Sequence, residues 1–162
     1  MMNRERSITL LNTAIGDELA AVQQYLYFHF HLGDQGFKHL ADLFKRTAIQ
    51  EMGHVEALAE RVLFLKGDVE MAASAPVVKI TSAPEILAKA LEMEEGGARD
   101  YNQAVLDCES NADSASKQLF ERLINEEERH FSGFEKHLDN IKKFGPSYLA
   151  LESFDAEVRA AG

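Results

Sequence analysis

The chain of 162 residues contains only three prolines, at 76, 84 and 146, and each sits in or beside a stretch rich in small or turn-forming residues. Proline breaks helix interiors, so the long proline-free runs between these points are free to be helical. Their apolar residues keep helical time. Ile8, Leu11, Ile15, Leu19, Val22 and Leu26 recur three or four apart from about Arg4 to Leu32, where Gly33-Asp34-Gln35-Gly36 predicts a stop. A second run, about Lys38 to Lys66, carries Leu40, Phe44, Ala48, Val55, Leu58, Val62 and Leu65 and ends at Gly67. Ser82-Ala83-Pro84-Glu85 reads as a capping box that opens a third helix reaching about Glu109. After the turn-like Ser110-Asn111-Ala112-Asp113, a fourth carries Leu119, Leu123, Phe131, Phe134, Leu138 and Ile141 up to Gly145-Pro146. A short fifth helix is predicted from about Ser147 to Arg159.

No run alternates as a strand does, so the expected class is all-α. Four segments of about 28 residues, each about 42 Å long, are what a four-helix bundle needs. The first-to-second and third-to-fourth turns are short and predict two antiparallel hairpins. The stretch from Gly67 to Thr81 is longer and aperiodic, and when extended it reaches the length of a helix, so one long crossover is expected. The chain is read as a single domain over 1–162, with the bundle over about 4–143 and the short helix over about 147–159. An apolar content of 46% suffices for one core.

Composition excludes several function classes. A formal net charge of −10 opposes the basic face that phosphate neutralisation demands, so nucleic-acid binding is not expected. The lone Cys108 supplies neither a disulfide nor the paired thiolates of a zinc ribbon, a rubredoxin or an iron–sulfur cluster, and a reducing, cytoplasmic setting fits it. The longest run without a formal charge, Leu19 to Gly33, is too short to span a membrane and is interrupted by Gln23, Gln24, His29 and His31. Met-Met-Asn-Arg-Glu-Arg at the start lacks the apolar core of a secretory signal, so the protein is expected inside the cell.

The chemistry lies in a doubled pattern. Glu51-Met52-Gly53-His54 and Glu127-Glu128-Arg129-His130 are both Glu-x-x-His motifs, and residues three apart share a helix face. Alone, each is weak, because a helical histidine is more often a solvated or hydrogen-bonded residue than a ligand. The second motif follows the first by 76 positions, and the same offset carries Glu18 onto Glu94 and Tyr25 onto Tyr101. Glu18 and Glu51 share a height on antiparallel helices only if the turn is centred at 34.5, and Glu94 and Glu127 require a centre at 110.5. Both centres fall in the predicted turns. Four glutamates and two histidines thus converge at mid-bundle, the ligand set of carboxylate-bridged dimetal centres. Without metal, four buried carboxylates would repel one another at high cost. Tyr25 and Tyr101, two turns beyond Glu18 and Glu94, suit packing with the hydroxyl bonded to a ligand carboxylate.

On these residues the sequence resembles a bacterioferritin over nearly its whole length. Glu18, Glu51, His54, Glu94, Glu127 and His130 match that family's ferroxidase motif, and the second Glu-x-x-His sets it apart from animal-type ferritins. The resemblance implies a ferritin-like bundle in a hollow shell of about 24 subunits. It implies two iron ions per subunit, oxidation of Fe(II) by oxygen or hydrogen peroxide, storage of ferric mineral, and a ferredoxin-type reductant for release. It also implies a haem b shared between two subunits through Met52 of each. Met52 lies on a side stripe with Ile49, Ala59 and Leu63, which with Leu19, Val22 and Leu26 could bury against a twin surface. Plain packing is the other reading of such a methionine. Gly53 and Gln23 are not the polar or basic neighbours expected beside that haem.

Arg46 and Gln50 stand where some members carry a cavity-facing iron site built of His and Asp, and neither suits iron. His29, His31, His39 and His137 have no ligand spacing and read as surface, pore or packing residues. The alternative function is a peroxide-reducing dimetal enzyme of the rubrerythrin or manganese-catalase type. A DNA-protecting mini-ferritin lacks support, because the chain has no basic tail.

Overall fold

The structure, a computed structural model, describes residues 1–154. Five helices follow in order: α1 (Arg4–Asp34), α2 (Lys38–Phe64), α3 (Ala83–Ser110), α4 (Ser114–Phe144) and α5 (Pro146–Glu152). Among the described residues there is no strand, and the all-α bundle with one crossover and a short last helix is the observed architecture. The fifth helix ends at Glu152, with Ser153 and Phe154 outside it, so it stops short of the expected run to about Arg159, whose part beyond 154 lies outside the described residues. No helix among the described residues is long and apolar enough to cross a membrane.

Three helix ends close in the same way. Phe37 N–H bonds to Leu32 O at 2.9 Å and Gly36 N–H to Gly33 O at 3.0 Å, the paired bonds that cap a helix through one left-handed residue. Gly36, at φ +86°, is that residue, so α1 runs through Gly33 instead of stopping before it. At the end of α2 the left-handed position falls on Lys66 (φ 67°), and at the end of α3 on Ala112 (φ 55°). Gly67 therefore does not end α2 by its own conformation. It is small because a Cβ there would stand 2.8 Å from Ile8 Cγ2.

The Ser82 capping box does not form. Ser82 is the N-cap, but its side chain accepts no backbone N–H, and Pro84 at the second helical position has none to offer. Asp113 does cap α4, accepting the Ser116 N–H at 3.1 Å, and it binds Arg61 of α2 at 2.7 Å. That ion pair ties the α3–α4 turn to the first hairpin.

The crossover runs along α1 in the same direction as the helix. Asn12 Nδ2 donates to Asp68 O at 2.9 Å, and its Oδ1 accepts from Glu70 N–H at 3.1 Å. Ser74 N–H donates to Gly16 O at 2.9 Å. Buried Gln24 takes both backbone groups of Val78, at 2.7 and 3.0 Å, and Gln35 donates to Thr81 O at 2.8 Å. A Cβ at Gly16 would lie 3.2 Å from Ala72 O, so the bare glycine lets the strap come close to the helix backbone there. Delivered to the far end of α1, the chain starts α3 antiparallel to α1.

The core is divided. One apolar group, around Leu11, Ile15, Leu58, Val62, Phe120 and Leu123, fills the end that holds the start of α1. The other, around Phe28, Leu40, Phe44, Ile86, Leu87 and Phe134, fills the opposite end, where Phe44 and Phe134 stack at 4.8 Å. Burying each such side chain contributes about 1.5–3 kcal/mol. Between the two groups lies a layer of buried carboxylates and imidazoles.

Candidate metal centre

Each helix sends one face of two functional residues into this layer: Glu18 and Tyr25 from α1, Glu51 and His54 from α2, Glu94 and Tyr101 from α3, Glu127 and His130 from α4. Glu18, Glu51, His54, Glu94 and Glu127 are each no more than 5% exposed. The i,i+3 spacing of the second helix works as helical geometry requires, with His54 Nδ1 2.7 Å from Glu51 Oε2. His54 Nδ1 also lies 3.2 Å from Glu18 Oε1 and 3.4 Å from Glu127 Oε1. On the other side, His130 Nδ1 lies 3.1 Å from Glu51 Oε1 and 3.3 Å from Glu94 Oε2. The imidazoles face one another at 6.0 Å between centroids.

The donors form two overlapping groups, Glu18, Glu51, His54 and Glu127, and then Glu51, Glu94, Glu127 and His130. Within each group the ligand atoms lie within 4.8 Å of one another. Glu51 and Glu127 belong to both. Both Glu51 oxygens, Glu94 Oε2, Glu127 Oε1 and His130 Nδ1 are shut off from solvent with no aligned hydrogen-bond partner. Buried lone pairs left unpaired are costly. Here they converge on a shared space lined by hard oxygen and imidazole nitrogen, a donor set that fits a pair of divalent ions.

Electrostatics tell the same story. Burial pushes Glu18 and Glu94 up, and so does the neighbouring Glu51 charge. Burial and the charges of Glu51 and Glu94 push Glu127 up to about 8, against the pull of His54. Glu51 is buried too, yet His130 and His54 hold it down at about 2. Burial alone would lower both histidines, but hydrogen bonding to Glu51 and Glu94 lifts His130 to about 10, and Glu127, Glu18 and Glu51 raise His54 further still. The layer thus holds protons where cations would otherwise sit.

The tyrosines cross between hairpins. Tyr25 donates to Glu94, and Tyr101 donates to Glu18. Burial, and then the adjacent carboxylates, keep both phenols protonated and therefore donors.

The sequence did not reveal the roles of three contributors, Glu126, Gln50 and Gly97. Glu126 Oε2 accepts from His54 Nε2 at 2.8 Å, and Gln50 Oε1 accepts from His130 Nε2 at 2.9 Å. Gly97 leaves room for a ligand, because a Cβ there would stand 2.7 Å from Glu127 Oε2. The only sequence signal for Gly97 was a Gly96-Gly97 pair inside a helical run, which weakens the helix without an evident local reason. Met52 stands apart from the layer, on the outer face of α2, 55% exposed beside the similarly exposed Ile49 and Leu63. The remaining histidines do not join the layer. His29 Nδ1 lies 2.7 Å from Ala41 O, and His137 Nδ1 2.6 Å from the Tyr148 hydroxyl.

A cleft of about 230 Å³ leads in from the surface between α1 and α3, past Asp17, Glu92 and Asp100 to Glu18, Glu94 and Glu127.

The sequence matches the family described as ferritin-like domain over residues 8–144. It is 35% identical over 152 residues to a bacterioferritin of Desulfovibrio desulfuricans, covering 91% of this chain and 85% of that one. A bacterioferritin of Rhodobacter capsulatus is 33% identical over 156 residues, covering 93% and 94%. One from Brucella melitensis is 32% identical over 145 residues, covering 90% of each.

Proposed function

The chain belongs to the ferritin-like family, among the bacterioferritins, and from that footing we propose that it stores iron, oxidising Fe(II) at the buried layer. The observation that supports this best is the set of orphaned, buried ligand atoms grouped around two positions that share Glu51 and Glu127. Two Fe(II) ions, the substrate, give up one electron each to oxygen or hydrogen peroxide. Glu18 and His54 would hold one ion and Glu94 and His130 the other, with Glu51 and Glu127 available to both. Four carboxylates balance two divalent charges, which relieves the repulsion of the metal-free state. Tyr25 holds Glu94 Oε1, so that carboxylate offers Oε2 to the layer, while Tyr101 holds Glu18 Oε1, the oxygen that also faces His54, and so fixes the orientation of that carboxylate. His54, His130, Glu127 and Glu18 give up the protons that burial and neighbouring carboxylates hold on them as ions enter. Asp17 and Asp100 at the cleft attract cations to its mouth, while Glu92 there is paired with Lys89 at 3.0 Å.

The product reading is a ferric mineral in a cytoplasmic shell of about 24 copies, with a ferredoxin-type donor supplying electrons for release. Met52 is where a haem b would be held: a soft thioether on an exposed apolar stripe, needing a second copy to give the other axial ligand.

The test is anaerobic loading of Fe(II) followed by exposure to oxidant. Fast oxidation is expected in the wild type, and Glu94→Ala and His130→Ala should fall to the rate of Fe(II) in buffer. Unchanged rates in both variants would refute the assignment. For the haem, protein expressed with added haem should show a Soret band that Met52→Leu removes.

A further inference from the structure

The two halves of the layer carry the same residue types: a terminal glutamate held by a tyrosine, the shared Glu51 and Glu127, and an imidazole Nδ1 aimed at the common space. They differ behind the imidazoles. His54 Nε2 donates to the Glu126 carboxylate at 2.8 Å, whereas His130 Nε2 donates to the Gln50 carboxamide at 2.9 Å. Either acceptor fixes the tautomer that leaves Nδ1 for a metal. Only the carboxylate adds a negative charge, and a carboxylate behind a ligating histidine raises the donor strength of the ring. Glu126 is 29% exposed, so solvent screens that charge only in part. On the other side, Gln50 and His130 share an opening with Arg46 and Arg129, and no ion pair among the described residues engages either arginine. Positive charge beside His130 opposes a further cation there.

We infer that the centre fills in a fixed order, with the Glu18 and His54 position taking the first divalent ion and the Glu94 and His130 position holding the second more weakly. This rests on the proposed dimetal reading and adds to it that Glu126 and Gln50 are positioning residues that set the order.

Anaerobic Co(II), which loads without turning over, separates the two ideas. Apparent affinities read from the visible absorption of bound Co(II) should form two steps at least about tenfold apart. Crystals grown at one equivalent per subunit should show anomalous density beside Glu18 and His54. Glu126→Gln should weaken the first step and bring the two together, while the near-isosteric Gln50→Glu should tighten the second. A merely structural role for either residue would move the melting temperature of the metal-free protein and leave the spacing of the steps alone. Density shared equally between the positions, density first beside His130, or unchanged spacing in Glu126→Gln would overturn the inference while leaving the dimetal reading intact. Absence of Co(II) from both positions would overturn both.

Discussion

A Cβ added at Gly97 would collide with Glu127 Oε2, yet alanine is the better helix former by about 1 kcal/mol, so Gly97→Ala sets a backbone gain against a ligand loss. The expected outcome is a metal-free protein at least as stable as wild type in calorimetry and a clearly weaker Co(II) affinity. Protons give a second handle at this scale. His130 is raised to about 10, so its contribution to metal-free stability is present below its ordinary range and lost as pH rises through about 10. Glu127, raised to about 8, favours the fold in its neutral form, and that contribution fades as pH climbs from the ordinary carboxylate range through about 8. Divalent ions bind only the deprotonated forms, so filling both positions should release protons, from His54, His130, Glu127 and Glu18. Zn(II) should therefore raise the melting temperature more at pH 8 than at pH 6; a larger rise at pH 6 would contradict the assignment of these groups. The six ligand residues were legible because helical arithmetic alone fixes which positions share a height and a face. Glu126, Gln50 and Gly97 were not, since their roles depend on how far a side chain or a bare backbone reaches across to a neighbouring helix.

Among the helices, existence followed from apolar periodicity, but the ends depended on single residues. Lys66 and Ala112 occupy left-handed positions that cost an L side chain roughly 1 kcal/mol, and both lie at solvent-exposed turns. Ala112→Gly and Lys66→Gly should each stabilise the protein by about 0.5–1 kcal/mol in thermal melts, with Co(II) affinity unchanged. A fall in melting temperature would show that these residues do other work. Reading Gly67 as the stop of α2 assigned the turn to the wrong residue, because the sequence carries no mark of Ile8 pressing against that glycine from another helix. The Ser82 motif misled for a related reason: the proline that suits the first turn of α3 also removes one of the two N–H groups a serine cap would seek.

For the molecule as a whole, the bundle and its long strap were legible from proline placement and segment length. The outer face of α2 was readable only as an apolar stripe awaiting a cover. Ile49, Met52, Leu63 and Phe64 are each more than half exposed, a concentration that soluble surfaces seldom leave bare. If a second copy covers it, Ile49→Asp with Leu63→Asp should release smaller species in analytical ultracentrifugation while Co(II) still binds; an unchanged particle would assign the stripe another role. The strap has a consequence of its own. Its hydrogen bonds run to α1, through Asn12, Gly16, Gln24 and Gln35, with Val69 and Ile80 packed on the core near its two ends, and Ala75 and Pro76 are exposed at its middle. Cut there, the polypeptide would yield two complementary fragments, each a complete hairpin carrying half of the ligands, so that reassembly of the pair would be driven by the ions they jointly chelate.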